Sequence, residues 1–202
     1  YETDTNRNFT RGYGLYSGRS TTPMTYALGG YGIDDPIPWG AEHREFMDNI
    51  YPYLAGLTIV SEDLPEEHNC VTLDPDIADS DGIPAPKITY RLGENTSKML
   101  RHGEERAKEI LLAAGAKKVL SKAGGKVWWR AGWHQMGTCR MGNDPKNSVV
   151  NSWGRSHDIK NLFIVDGSIF VTAGAVNPTS TIQALALYIG DRIKTNIETL
   201  FD

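Results

Sequence analysis

Residues 87–92 read Lys87-Ile88-Thr89-Tyr90-Arg91-Leu92. Apolar and polar side chains alternate, so Ile88, Tyr90 and Leu92 share one face and the rest share the other. That period of two predicts a half-buried antiparallel strand. Working outward, Leu57–Ser61 is short and β-branched, and Cys70–Leu73 sets Val71 and Leu73 opposite Thr72, so both are expected as strands. The polar, Pro- and Gly-marked run from Asp74 to Pro86 between them is expected as a loop. Several one-faced strands point to an antiparallel sheet covered on one side.

Helices flank this region. A short one is predicted over Ala41–Ile50 and ended by Pro52. A long one is predicted over Asn95–Ala114, with Leu100, Ala107, Ile110, Leu111 and Ala114 as its apolar stripe and Gly115 as its left-handed stop. The last helix starts after Pro178. There Ile182, Leu185, Ala186, Ile189, Ile193 and Ile197 recur at helical spacing, and Ser180 and Gln183 have capping-box spacing. Lys126–Trp133, Val149–Asn151 and Leu162–Val165 read as further strands. Residues 1–40 are punctuated by glycines and read as irregular. The fold class expected is α+β.

Bulk properties exclude several classes. The 202 residues carry a net charge of −4, which favours neither nucleic acid nor an anionic membrane as partner. No apolar run approaches the ~20 residues of a membrane span. Cys70 and Cys139 lie far apart and fit either two free thiols or one disulfide, so the compartment stays open between cytoplasm and periplasm.

Three segments have the residue types of a reactive site. His134 opens Gln135-Met136-Gly137-Thr138-Cys139-Arg140-Met141-Gly142, a loop beside a Trp-rich strand. A neutral imidazole there suits proton removal near pH 7, although a structural turn histidine fits the same pattern. Asn161–Val165 is an apolar strand ending in Asp166-Gly167-Ser168. Ligands bind outside such strand ends, and so do ordinary turns. Asn177-Pro178-Thr179-Ser180-Thr181 opens the last helix, whose unpaired amides and dipole favour an anion, or simply a capped helix. The spacing of His134, Cys139 and His157 matches no standard zinc pattern, so no metal is expected. Trp128, Trp129 and Trp133 fit either core or a sugar platform.

Together and in this order, the segments from Trp133 to about Ile193 resemble the C-terminal signature of the glucose-methanol-choline (GMC) oxidoreductases. Glu62-Asp63-Leu64-Pro65 through Thr72-Leu73-Asp74 resembles that family's substrate-domain sheet. The resemblance implies FAD as cofactor and oxidation of a CH–OH group in an alcohol, sugar or polyol. It implies His134 as the base and Asn177 as the group that holds the substrate oxygen. It places Asp166 and Gly167 near the ribityl and phosphate groups, and Pro178 and Thr179 under the isoalloxazine. It divides the chain into a substrate domain, 1–147, and a return segment of the FAD domain, 148–202. Asn177 resembles the choline- and sugar-dehydrogenase pattern rather than the pattern with two histidines, which favours a dehydrogenase over an oxidase.

The family's Gly-x-Gly-x-x-Gly fingerprint is missing. Gly12-Tyr13-Gly14-Leu15-Tyr16-Ser17-Gly18 has the wrong spacing and reads as a loop. These residues are therefore not expected to hold FAD by themselves in the family's usual way. A fragment of a longer enzyme is the expectation, with an N-terminal FAD-binding segment as partner and an electron-acceptor subunit as a further one. An oxygen-using oxidase, or a non-catalytic stand-alone module, is the alternative.

Overall fold

The computed structural model describes residues 6–19, 23–24, 39–119 and 134–200. The expected strand at Lys126–Trp133, with its three tryptophans, lies outside them. The elements run β1 (Tyr13–Arg19), α1 (Ala41–Asn49), β2 (Ala55–Ser61), β3 (Cys70–Ala78), β4 (Pro84–Thr89), α2 (Glu94–Ala113) and α3 (Thr179–Thr195), with 3-10 turns at Tyr51–Tyr53 and Gly167–Ile169. The class is α+β, as expected. The sheet is divided into two antiparallel pairs, β1–β2 and β3–β4. Among the described residues no helix is long and apolar enough to cross a membrane.

Two compact units form. The first comprises Tyr1–Glu62 and Glu94–Arg130, the second Asp63–Gly93 and Ala131–Asp202. In the first, β1 pairs with β2 from Tyr13↔Ser61 to Arg19↔Ala55. The reading of residues 13–18 as a loop is thus corrected. Gly14 and Gly18 weaken a strand taken alone, but pairs such as Leu15↔Ile59 and Tyr16↔Thr58 compensate from a partner some forty residues away.

Helix α2 packs on this hairpin with Thr96, Met99, Gly103 and Ala107 buried. Of the expected stripe Ala107 is buried, whereas Ile110 is 49% exposed. Gly103 accounts for the change. A Cβ there would stand 3.0 Å from Ile59 Cγ2 and 3.2 Å from the Tyr13 ring. Only the row through the glycine lets helix and sheet approach this closely. Asn95 ties the start of α2 to the chain before β1, accepting from Thr10 N–H at 2.8 Å and donating to its carbonyl at 3.1 Å. At the far end Gly115 takes φ 93, and Ala116 and Gly115 donate to the Leu111 and Leu112 carbonyls. This paired stop is the one its position predicted.

In the second unit, β3 and β4 extend into the segment expected as a loop. Only residues 79–83 turn, around Asp79, whose carboxylate accepts from the Asp81 and Ile83 amides at 2.9 Å. The Tyr90 hydroxyl donates to Asp63 at 2.5 Å, and Asn69 brackets the Arg91 backbone. Burial, that hydrogen bond and the nearby carboxylates of Asp63 and Glu66 push the Tyr90 phenol well above its usual range. The β3–β4 face is more open than its alternation implies. Val71 and Ile88, direct partners in the register, are both exposed.

Val149–Asn151 and Leu162–Val165 do not form strands. They contribute isolated bridges, Val150 to Met141 and Ser156, and Phe163 to Arg155. The Asn151 carboxamide oxygen accepts from the Trp153 and Arg155 amides, which curls the chain too tightly for a ladder. Val150, Ile169 and Ile189 are fully buried here, with Met141, Trp153, Ile164, Phe170 and Ile193 packed around them. Both cysteines are free thiols.

Gly154 holds this curl at φ 77, where a Cβ would lie 2.5 Å from the Ile164 carbonyl oxygen. Gly154→Ala combines left-handed strain with a backbone collision, so it is expected to destabilise by roughly 2–4 kcal/mol. The urea midpoint checks this, and an unchanged midpoint would contradict it.

Candidate functional site

The segment from His134 to Gly142 has no regular secondary structure, yet it is held by a row of backbone hydrogen bonds. Gly137 N–H donates to the Gly167 carbonyl at 3.3 Å, Cys139 to Ser168 at 2.9 Å and Met141 to Ile169 at 2.8 Å. Alternate amides of this loop thus meet three successive carbonyls of a 3-10 turn. Two further bonds, Val149 N–H to Arg140 and Gly142 N–H to Val150, continue the stitching toward the core.

The 3-10 turn is set by Asp166. Its carboxylate accepts from the Ser168 amide at 2.8 Å, an Asx-type cap. Hydrogen bonds from the Ser168 side chain and backbone hold the Asp166 carboxyl below its usual range. Gly167 follows at a junction of three segments. A Cβ there would meet Ile182 Cδ1 at 3.1 Å, the Gln135 carbonyl at 3.4 Å and Met136 Cγ at 3.5 Å. Ile182 lies in the first turn of α3, where its amide donates to Pro178 at 3.0 Å.

The expected site residues therefore fall as follows. His134 is half-buried and precedes Gln135, whose carbonyl borders Gly167. Asp166 and Gly167 begin the 3-10 turn. Pro178 is the N-cap of α3 and Thr179 its first helical residue, with exposed Asn177 just before. The structure brings the three backbone segments together. Among the described residues neither the His134 imidazole nor the Asn177 carboxamide has a hydrogen-bond partner.

The expected capping box is not formed. The helix starts one residue before Ser180, and no side chain caps it. A helix mouth without a side-chain cap leaves its first amides available to an acceptor from outside. Sequence reasoning also missed the part played by Gly137, which stood out only as a spacing marker. Its φ of 89 and a Cβ position 3.2 Å from the Phe170 carbonyl oxygen show why glycine is needed. His157, weighed only as a metal ligand, is tied to Ser148 Oγ at 2.9 Å.

A family model described as GMC oxidoreductase matches residues 65–186. The 2-methyl-1,2-propanediol dehydrogenase of Mycolicibacterium austroafricanum is 44% identical over all 202 residues, which span 36% of that relative. The 6'''-hydroxyparomomycin C oxidase of Streptomyces lividus is 40% identical over 119 residues, 59% of this chain and 21% of the relative. The fructose dehydrogenase large subunit of Gluconobacter japonicus is 34% identical over 137 residues, 68% of this chain and 24% of the relative. The chain thus spans about a third or less of the length of these relatives.

Asp166 yields a pH prediction. A carboxyl whose folded pKa is depressed stabilises the fold above its unfolded value, and that contribution disappears as pH falls through the folded one. Asp166→Ala is therefore expected to lower the melting temperature at pH 7, with a deficit that shrinks as the medium is acidified below ~pH 4. A deficit that stays constant or grows in acid would show that the carboxylate is not the source.

Proposed function

The chain belongs to the GMC oxidoreductases, and from that membership we propose that it carries the catalytic face of an FAD-dependent enzyme oxidising the CH–OH group of an alcohol, sugar or polyol. The observation that carries this reading is the stitching of the His134 loop to the Asp166–Ile169 turn, with Ile182 of α3 against the same glycine. The local chemistry fits a flavin. A helix mouth without a side-chain cap would supply amides for negative charge on a heteroaromatic ring.

In this reading Pro178 and Thr179 would hold the ring, with Asn177 bordering it, and Asp166 and Gly167 would hold the ribityl and phosphate groups. FAD, when bound, supplies the hydride acceptor. His134 removes the substrate's hydroxyl proton onto an imidazole nitrogen, and Asn177 holds the oxygen as it gains charge. An imidazole with no competing partner among the described residues suits that task. Residues 1–147 are assigned to the substrate domain and 148–202 to the return segment of the FAD domain.

A dehydrogenase is favoured. The relative that aligns over the whole chain is named a dehydrogenase, and its name makes a small vicinal diol the first substrate to test. An oxygen-using oxidase is the second reading, supported by a relative named an oxidase. The relative named a large subunit supports an electron-acceptor subunit as partner.

Two variants of the flavin-loaded enzyme test the roles. His134→Ala is expected to lower kcat/KM for an alcohol by at least ~10², through loss of the base. Turnover close to wild type would remove His134 from the mechanism. Asn177→Ala is expected to slow anaerobic bleaching of the flavin by substrate more than it weakens FAD retention. A change confined to retention would make Asn177 a cofactor ligand only.

A further inference from the structure

We propose that Gly137 is a positioning residue for His134, acting through a left-handed turn and a backbone contact that a side chain would disrupt. The inference rests on the reading of His134 as the base. Gly137 lies three residues beyond it and donates the first of the three rungs to the 167–169 carbonyls.

That rung is the vulnerable one. At 3.3 Å it is longer than an ordinary N–H···O bond, whereas the Cys139 and Met141 rungs measure 2.9 and 2.8 Å. Its acceptor is also shared, because the Gly167 carbonyl takes a second bond from Phe170 N–H at 3.3 Å. A side chain at 137 would load the rung from two directions. It would strain a backbone at φ 89, and it would press on the Phe170 carbonyl oxygen from 3.2 Å. Phe170 closes the same 3-10 turn that presents Gly167. Moving it moves the acceptor.

The outcome follows from the order of the rungs. The bonds from Cys139 and Met141, and buried Ile169 beneath them, keep the loop attached when the first rung opens. Among the described residues His134, Gln135 and Met136 are the ones released to shift against the turn. The imidazole is then displaced in a protein that remains folded. A displacement of about 1 Å from the reactive geometry can cost on the order of 10²-fold in rate.

The test uses the flavin-loaded enzyme with Gly137→Ala and Gly137→Asn, an alcohol substrate and its analogue deuterated at the carbinol carbon. Gly137→Ala is expected to lower kcat per bound flavin by roughly 10- to 100-fold, with KM changed much less. The deuterium effect on kcat should be at least as large as in wild type, and the apparent pKa of the base should not move. Gly137→Asn, which tolerates the left-handed backbone but keeps the contact with Phe170, should recover part of the loss. If Gly137→Ala does not load flavin, the same measurements on Gly137→Asn decide. Wild-type kcat per bound flavin in either loaded variant would overturn the proposal. So would failure of both to load flavin, which would make Gly137 a folding residue. If His134→Ala itself turns over normally, the base assignment falls first. If His134→Ala is inactive while the Gly137 variants are normal, this inference falls alone.

Discussion

Backbone amides of Gly137, Cys139 and Met141 meet the carbonyls of residues 167 to 169, and the second unit is organised around that row. Each bond contributes only about 1 kcal/mol net, yet leaving such groups unpaired in a packed region costs more. The row stays in place because Ile169, whose carbonyl is one of the acceptors, is fully buried with Val150 and Ile189. Burial of one isoleucine thus holds the carbonyl ladder, and the ladder holds a loop with no regular structure of its own. The Asp166 carboxylate sets the turn from its other end.

Helix α3 is attached to the same core. Ile189 buries its middle, and Ile182 brings its first turn against Gly167. Near its end the Arg192 guanidinium lies over the rings of Trp153 and Tyr188, and positive charge there suits the helix dipole. At the N-terminal end no side chain among the described residues caps the helix. Amides left without an internal partner there favour an acceptor from outside.

Periodicity made α2 and α3 legible, Pro52 marked the end of the short α1, and Gly115 marked the stop of α2. Of the buried face of α2, periodicity identified Ala107 alone. Hydropathy favours Leu100 and Ile110, but the face is chosen by the residue that lets the sheet come closest, and Gly103 has no hydropathy to count. Strand β1 was illegible for a related reason. Its two glycines argue for a turn, and pairing with β2 outweighs them. Val149–Asn151 and Leu162–Val165 failed in the other direction. Their composition suits strands, but Asn151 and Gly154 impose turns that break the ladder.

The amino-acid sequence by itself determined the α+β class, the helices and the three segments whose combination marks the family. Those features are local, carried by spacing and residue type within a few turns of chain. Only the tertiary structure decided that the loop after His134 is laced to the 167–169 turn, and that Gly137, Gly167 and Ile182 set how closely the segments meet. Such contacts join residues some fifteen to thirty-three positions apart. They depend on the space a missing side chain leaves, and no periodic pattern records that space.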